Sequence, residues 1–333
     1  MTRARRLVER PLALLLLPLS LVPFLLVVPQ MVESHELYDR RHKSGPLPAP
    51  QVTLTPAQQR RFQPVAPYLG AIPVLAYHGI RDERDGYSIS RRLFAQQMAA
   101  LDHMGFQSIS IEQFARFRAG DVRGLPERPI LITFDDGRLD SYRGADAVLE
   151  RHGFRATMFA ITAEVEGENP FYLTWRELHR MDDSGRWDVQ PHAHQGHRRV
   201  AFDEVGHMAP YYAVRRYTRS DGLESFADYE RRVTTDVFEV RDRMRDQGFE
   251  PVAFAVPYGN YGQRETNDAA IAPFMRALLQ RQFGGVYFVQ HERNEPGYAP
   301  MIGEPQRYEV HSDTTTDRLY MWLRDHSPGK RRR

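Results

Sequence analysis

The hydrophobic pattern divides the chain into three stretches. Residues 11–31 carry no charge and are dominated by Leu, Val and Phe. Residues 32–70 are polar and proline-rich with no sustained apolar period, and read as a linker with one short helix over 56–62. From residue 71 to 326, short apolar runs alternate with longer segments whose apolar residues recur at helical spacing. The runs predict strands over 73–77, 108–111, 129–134, 156–161, 187–190, 252–256, 285–290 and 308–310. The first main helix is predicted over 90–103, with Ser90 as cap, Leu93, Phe94, Met98 and Leu101 on one face and Gly105 as stop. Others are predicted over 139–152, closed by Gly153, over 174–183, capped by Thr174, and over 226–247, 271–283 and 315–325. A polar excursion over 202–225 carries Tyr211, Tyr212 and Tyr217, and is long for a loop in a compact domain.

Strands alternating with helices of this length argue for a parallel sheet. About seven strand-helix units over roughly 255 residues fit an α/β fold closed, or nearly closed, into a distorted (β/α) barrel. Chemistry in such barrels gathers at the C-terminal strand ends, and His78, Asp135, Asp136, His192, His197 and Tyr258 all follow predicted strands.

Charge refines the ends of the chain. Arg3, Arg5, Arg6 and Arg10 precede the apolar run. About 20 apolar residues suffice to cross a bilayer as a helix, and a basic flank stays on the cytoplasmic side. The expectation is a cytoplasmic tail over 1–10, a transmembrane anchor over 11–31 and an extracytoplasmic domain over 71–326. The run ends in Val27-Val28-Pro29-Gln30-Met31, without the small residues that precede a signal-peptide cut, which favours an anchor over a cleaved signal. Pro18, Pro23 and Pro29 would kink such a helix and keep the cleaved form open. Residues 327–333 read as a solvated basic tail. Over the whole chain, 45 basic and 43 acidic residues leave a net charge of +2, so no global field points to a nucleic-acid partner. There is no cysteine, which excludes disulfides, thiolate catalysis and Cys-zinc sites. Any metal is then held by histidine and carboxylate.

Two clusters supply such groups. In Pro129-Ile130-Leu131-Ile132-Thr133-Phe134-Asp135-Asp136-Gly137 a buried strand ends in adjacent carboxylates, which are costly there unless something positive is held. In isolation Asp-Asp-Gly is an ordinary turn. About sixty residues on, His192-Ala193-His194-Gln195-Gly196-His197 offers the imidazoles that would complete a metal site with a carboxylate.

Together with Pro257-Tyr258-Gly259 and the preamble Val74-Leu75-Ala76-Tyr77-His78-Gly79, these motifs resemble, in order and spacing, those of the NodB-like polysaccharide deacetylases, carbohydrate esterase family 4. The likeness runs from about Pro73 to Trp322. The five-residue separation of His192 and His197, with His78 ahead of the aspartates, is most similar to exported deacetylases of poly-β-1,6-N-acetylglucosamine. The resemblance implies that Asp136, His192 and His197 bind a divalent metal (Zn, Fe, Ni or Co) and that Asp135 is the general base. It also implies that the Tyr258 backbone N–H contributes to an oxyanion site. His78 is the candidate general acid, with His291 and His311 as rivals. If the segment stays extended, His194 shares a face with His192 and is an alternative ligand to His197. Two positions depart from the family pattern: Ala193 stands where a small hydroxyl residue is usual, and Ala255 where an arginine is common. Tyr211, Tyr212 and Tyr217 are candidates for sugar contact or for packing onto the barrel. The partners implied are an N-acetylated polysaccharide and, through the N-terminal helix, a membrane. The alternative is a non-catalytic, membrane-tethered glycan-binding protein on the same fold, or a deacetylase of another amide such as peptidoglycan sugars.

Overall fold

A computed structural model describes residue 42 and residues 45–66, 70–83, 85–167, 169–290, 298–301 and 303–326. The two tails, the 11–31 run and His291 lie outside these residues. Among the described residues no helix is long and apolar enough to cross a membrane. Contacts divide the chain into residues 1–45 and 46–333, and the fold below is that of the second unit.

The elements follow the alternation expected from the pattern: α1 (Pro56–Arg61), β1 (Ala71–Tyr77), α2 (Arg91–His103), β2 (Gln107–Ser108), α3 (Ile111–Arg118), β3 (Pro129–Phe134), α4 (Leu139–His152), β4 (Ala156–Ile161), α5 (Thr162–Glu166), α6 (Trp175–Asp183) and β5 (Trp187–Ala193). Then come β6 (Arg199–Ala201), β7 (Met208–Pro210), β8 (Tyr217–Thr218), β9 (Gly222–Leu223), α7 (Phe226–Asp246), β10 (Phe254–Ala255), α8 (Ile271–Phe283), β11 (Tyr287–Gln290), β12 (Tyr298–Pro300), β13 (Gln306–Glu309) and α9 (Thr316–His326). The caps act as the sequence predicts: the Ser90 and Thr174 side chains accept from the third backbone N–H of their helices, and Gly153 ends α4 in the left-handed conformation.

Seven parallel strands run in the order β10-β11-β13-β1-β3-β4-β5 and curl into a nearly closed barrel. The seam between β5 and β10 has no backbone ladder among the described residues. Side chains bridge it instead. Gln190 accepts from the Val252 and Ala253 N–H groups, both at 2.9 Å, and donates to the Glu250 carbonyl at 3.0 Å. Two residues on, the His192 Nδ1–H donates to the Ala255 carbonyl at 2.8 Å.

Strand side chains alternate in direction, so each strand contributes one set to the barrel interior and one to the helices outside. Ile130, Ile132 and Phe134 face outward with Leu75 and Tyr77, packing in one cluster with α2, α4 and α9. Leu131 and Val74 face inward with Phe159, Ala253, Ala255 and Phe288. Ile111, Phe114 and Phe117 of α3 join that interior cluster, and Asp188 accepts the Ile111 N–H. In phase with the inward set, toward the C-terminal strand ends, come His78 after Val74 and Ala76, Asp135 after Leu131 and Thr133, His192 after Gln190, and Arg307, Glu309 and His311 on and after β13. The polar set is therefore the top layer of the barrel interior.

Residues 46–65 lie along the domain. The Leu47 N–H bonds the Arg143 carbonyl, Arg91 bonds the Pro48 carbonyl, and Phe62 is fully buried against the helix layer. The 202–225 excursion folds as two small hairpins, β7 pairing back onto β6 just before it and β8 onto β9. Tyr211 and Tyr212 are buried there, packed with Tyr229 of α7, and Tyr217 is half-buried, so packing rather than sugar contact accounts for the first two. Trp187 is a core residue and Trp175 stacks on Phe249.

Candidate active site

Beyond β3 the backbone turns sharply: Asp136 and Gly137 both lie in the left-handed region, at φ 73° and 74°. Asp tolerates that conformation better than most residues, and a Cβ on Gly137 would press the Ala160 backbone at 3.2 Å. The turn separates the two carboxylates. Asp135 points into the barrel while Asp136 turns onto the rim.

Asp136 Oδ1 is 3.3 Å from His197 Nε2 and 3.6 Å from His192 Nε2, and one ligand atom from each of the three residues lies within 4.8 Å of the others. Oδ1 is buried yet has no hydrogen-bond partner, an unsatisfied lone pair aimed between two imidazoles. The bond from His192 Nδ1–H to Ala255 fixes its tautomer and leaves the Nε2 lone pair toward Asp136. Burial first, and the neighbouring His192 second, push the His197 imidazole down to about 4, so it is neutral with a free lone pair at physiological pH. Burial would raise the Asp136 carboxyl, but the surrounding imidazoles outweigh it and hold the group ionised. One carboxylate and two imidazoles are the donor set of a catalytic divalent-metal site that keeps positions open, so these residues fit the metal expected from the sequence.

His194 does not join them. Its Nδ1 lies 2.9 Å from Thr162 Oγ1 and its Nε2 3.4 Å from Glu239, on the α7 side. The loop between His192 and His197 is pinned by Asp236 of α7, which accepts the Gln195 N–H at 2.7 Å, the His194 N–H at 3.3 Å and the Tyr212 hydroxyl. Gly196 fits because a Cβ there would meet the Tyr212 ring at 2.6 Å.

Asp135 is fully buried and clamped by Arg307, whose two terminal nitrogens each approach one carboxylate oxygen at 2.6 Å. Burial alone would raise the Asp135 carboxyl, but the guanidinium and then the His192 imidazole hold it below the ordinary range. Arg307 is itself fully buried, between the Phe159 and Phe288 rings and bonded to Thr133 Oγ1 at 3.2 Å. An arginine thus reaches the first aspartate from β13, in a barrel that carries alanine at position 255. Sequence reasoning missed it because a basic residue in a short, weakly patterned strand looked like any other arginine.

A cleft of about 330 Å³ opens over the group, lined by His78, Tyr87, Asp136, Arg138, His192, His197, Tyr258, Glu309 and His311. His78 Nδ1 is buried without a partner, and its Nε2 is 4.0 Å from Glu309; His311 Nε2 is 3.4 Å from the other oxygen of the same carboxylate. His78 and its rival His311 therefore share one acid, which the sequence did not single out. Tyr258 is left-handed at φ 57° and stacks on His197 with centroids 4.8 Å apart. Its N–H makes no hydrogen bond among the described residues, while the N–H groups of Gly259 and Asn260 bond within the turn.

A family model described as Polysaccharide deacetylase matches residues 123–275, which span Asp135-Asp136, the 192–197 histidine cluster and Pro257-Tyr258-Gly259. The chain carries a NodB-like polysaccharide deacetylase domain over these residues. Among curated relatives, the poly-beta-1,6-N-acetyl-D-glucosamine N-deacetylase of Escherichia coli (strain K12) is 24% identical over 223 residues, 62% of this chain and 32% of that protein. The chain thus spans about a third of that relative's length. Of solved structures, a de-N-acetylase from Aggregatibacter actinomycetemcomitans superposes with a TM-score of 0.66 at 20% identity, covering 76% of this chain and all of that one. IcaB from Ammonifex degensii superposes at 0.56 with 25% identity, covering 77% of this chain and 97% of that one. The first of these likenesses bears on the deacetylase fold alone.

Proposed function

We propose that this deacetylase domain is a metal-dependent hydrolase that removes N-acetyl groups from an N-acetylglucosamine polymer, in the first place poly-β-1,6-N-acetylglucosamine. The observation that carries the reading is the convergence of Asp136, His192 and His197 beside the arginine-clamped Asp135, on one cleft. The name of the Escherichia coli relative supplies the polymer.

A divalent ion held by Asp136, His192 and His197 would polarise an acetamide carbonyl and acidify a water beside it. Asp135, kept ionised by Arg307, takes the proton of the attacking water. The Tyr258 N–H, unengaged in its turn, is the backbone donor for the negative charge that develops on the carbonyl oxygen. His78, with the Glu309 carboxylate 4.0 Å from its Nε2, gives a proton to the departing nitrogen, and the products are acetate and a free amine. With the anchor read over 11–31, this chemistry takes place outside the cytoplasm, on polymer at the membrane surface.

The test is acetate release from defined β-1,6-linked N-acetylglucosamine oligomers. Activity is expected to vanish with chelator, to return with added metal, and to be lost in Asp135→Asn. Oligomer binding without acetate release in any of the four metals would instead favour the non-catalytic reading.

A further inference from the structure

Tyr87 is the only aromatic among the large hydrophobic side chains that stand exposed in the described residues, at 53%. It lines the cleft, with its ring centroid 5.5 Å from that of His78 and 5.6 Å from that of His311. An exposed ring is usually placed by chance, on a surface that lets it move. This one is fixed through its backbone. The loop that carries it is closed at its base by the Ile89 N–H on the Gly79 carbonyl and the Arg81 N–H on the Ile89 carbonyl, both at 3.0 Å.

Inside the loop, Asp85 accepts from the Tyr87 N–H at 3.1 Å, the Ser88 N–H at 2.6 Å and the Ser88 hydroxyl at 2.8 Å. Asp85 is held in turn by Arg81 at 2.9 Å and by Arg138 at 3.2 Å. Arg138 directly follows Asp136-Gly137 in the chain and is almost fully buried. The Gly86 carbonyl accepts the Ser312 N–H at 3.1 Å, tying the loop to the segment after His311. The scaffold therefore holds this loop in register with the metal-ligand turn and with both candidate acid histidines, while leaving the ring bare.

A flat apolar face held at the mouth of a polar cleft suits a ligand that is apolar on one face and hydroxylated at its edge. A pyranose ring has that chemistry, presenting a face of C–H groups between equatorial hydroxyls. We propose that Tyr87 is a sugar platform, whose ring stacks on an N-acetylglucosamine unit and sets the depth at which its acetamide enters the cleft. This rests on the reading of the domain as a deacetylase of such polymers. It also moves the sugar contact from the 202–225 hairpins, where Tyr211 and Tyr212 are buried, to the loop between β1 and α2.

The experiment is calorimetric titration of the metal-free chain with a β-1,6-linked N-acetylglucosamine pentamer, so that binding is read apart from turnover. Wild type is compared with Tyr87→Phe, Tyr87→Leu and Tyr87→Ala, thermal melts verifying that each is folded, and acetate release is assayed in parallel. Tyr87→Phe should bind within about threefold of wild type and Tyr87→Ala about tenfold or more weakly, since a tenfold loss corresponds to one lost contact of ordinary hot-spot size. Tyr87→Leu should fall near alanine, because it keeps apolar bulk without a flat face. Equal binding by wild type and Tyr87→Ala, leucine binding as well as phenylalanine, or no binding by wild type would each overturn the proposal. Tyr87-dependent binding with no acetate release in any metal would leave the platform standing and overturn the deacetylase reading.

Discussion

Replacing Arg307 with methionine would strip the barrel of the guanidinium that clamps Asp135 and leave a carboxylate with no solvent to fall back on. Both side chains are fully buried and are joined by two bonds of 2.6 Å. Methionine roughly fills the stem between the Phe159 and Phe288 rings, so the loss is mainly electrostatic. Removing one partner of a buried ion pair costs about 3–5 kcal/mol, because the other charge remains buried and uncompensated. Asp135→Asn also costs stability, because Arg307 stays buried and charged, although the amide oxygen still accepts from one of its terminal nitrogens. Urea denaturation of the four-member set (wild type, each single variant and the double) measures the coupling directly. Arg307→Met should fall by about 3–5 kcal/mol at neutral pH, and adding Asp135→Asn should recover about 2 kcal/mol or more of that loss. If the two single effects simply add to within about 0.5 kcal/mol, the clamp is not holding the carboxylate and the account of the base is wrong.

Asp136→Asn and His197→Ala should lose bound metal in elemental analysis of the purified chain, whereas Asp135→Asn should keep it and lose only acetate release. Gln190→Ala removes three bonds across the seam and should speed hydrogen exchange at the Val252 and Ala253 amides by at least tenfold, because these N–H groups lose their acceptor. Gly196→Ala should destabilise the chain by about 1–3 kcal/mol and weaken metal binding, since the Tyr212 ring it would strike is held by Asp236 and cannot swing away. The Asp85 carboxyl is brought down to about 2 although burial opposes it, by the Ser88 bonds and Arg138. A carboxyl lowered on folding stabilises the fold above its unfolded value and loses that contribution as pH falls through the folded one. Asp85→Asn should therefore melt lower than wild type at neutral pH, and the difference should close between about pH 4 and pH 2; a gap that persists at pH 2 would disprove the assignment.

The parallel barrel was legible because its longer strands and helices carried local signals. Ser90, Thr174 and Gly153 marked helix ends by capping chemistry that depends on a few neighbouring residues, and the buried run 129–134 announced a strand covered on both faces. The rim residues were legible from their positions just after strands. What escaped was nonlocal. Arg307 and Glu309 sit on a four-residue strand whose pattern is weak, and their importance comes from lying beside β1 and within reach of β3, strands far earlier in the chain, a relation that no sequence window contains. The same is true of Asp236, one acid among many on α7 until the fold brings it under the 194–196 loop. The excursion over 202–225 read as an irregular loop because two-residue and three-residue strands leave no periodicity to detect.

The seam gives the barrel a mechanical property. Where β5 meets β10, the bridges include the imidazole proposed as a metal ligand, so the same ring is a rivet on one nitrogen and offers its lone pair on the other. Any breathing that parts the two edge strands must rotate His192, and any ion that fixes His192 must resist the parting. Metal loading should then act as a clamp at the seam where, among the described residues, the staves are not joined by their own backbones, and the edges of the barrel should stiffen as the ion is bound.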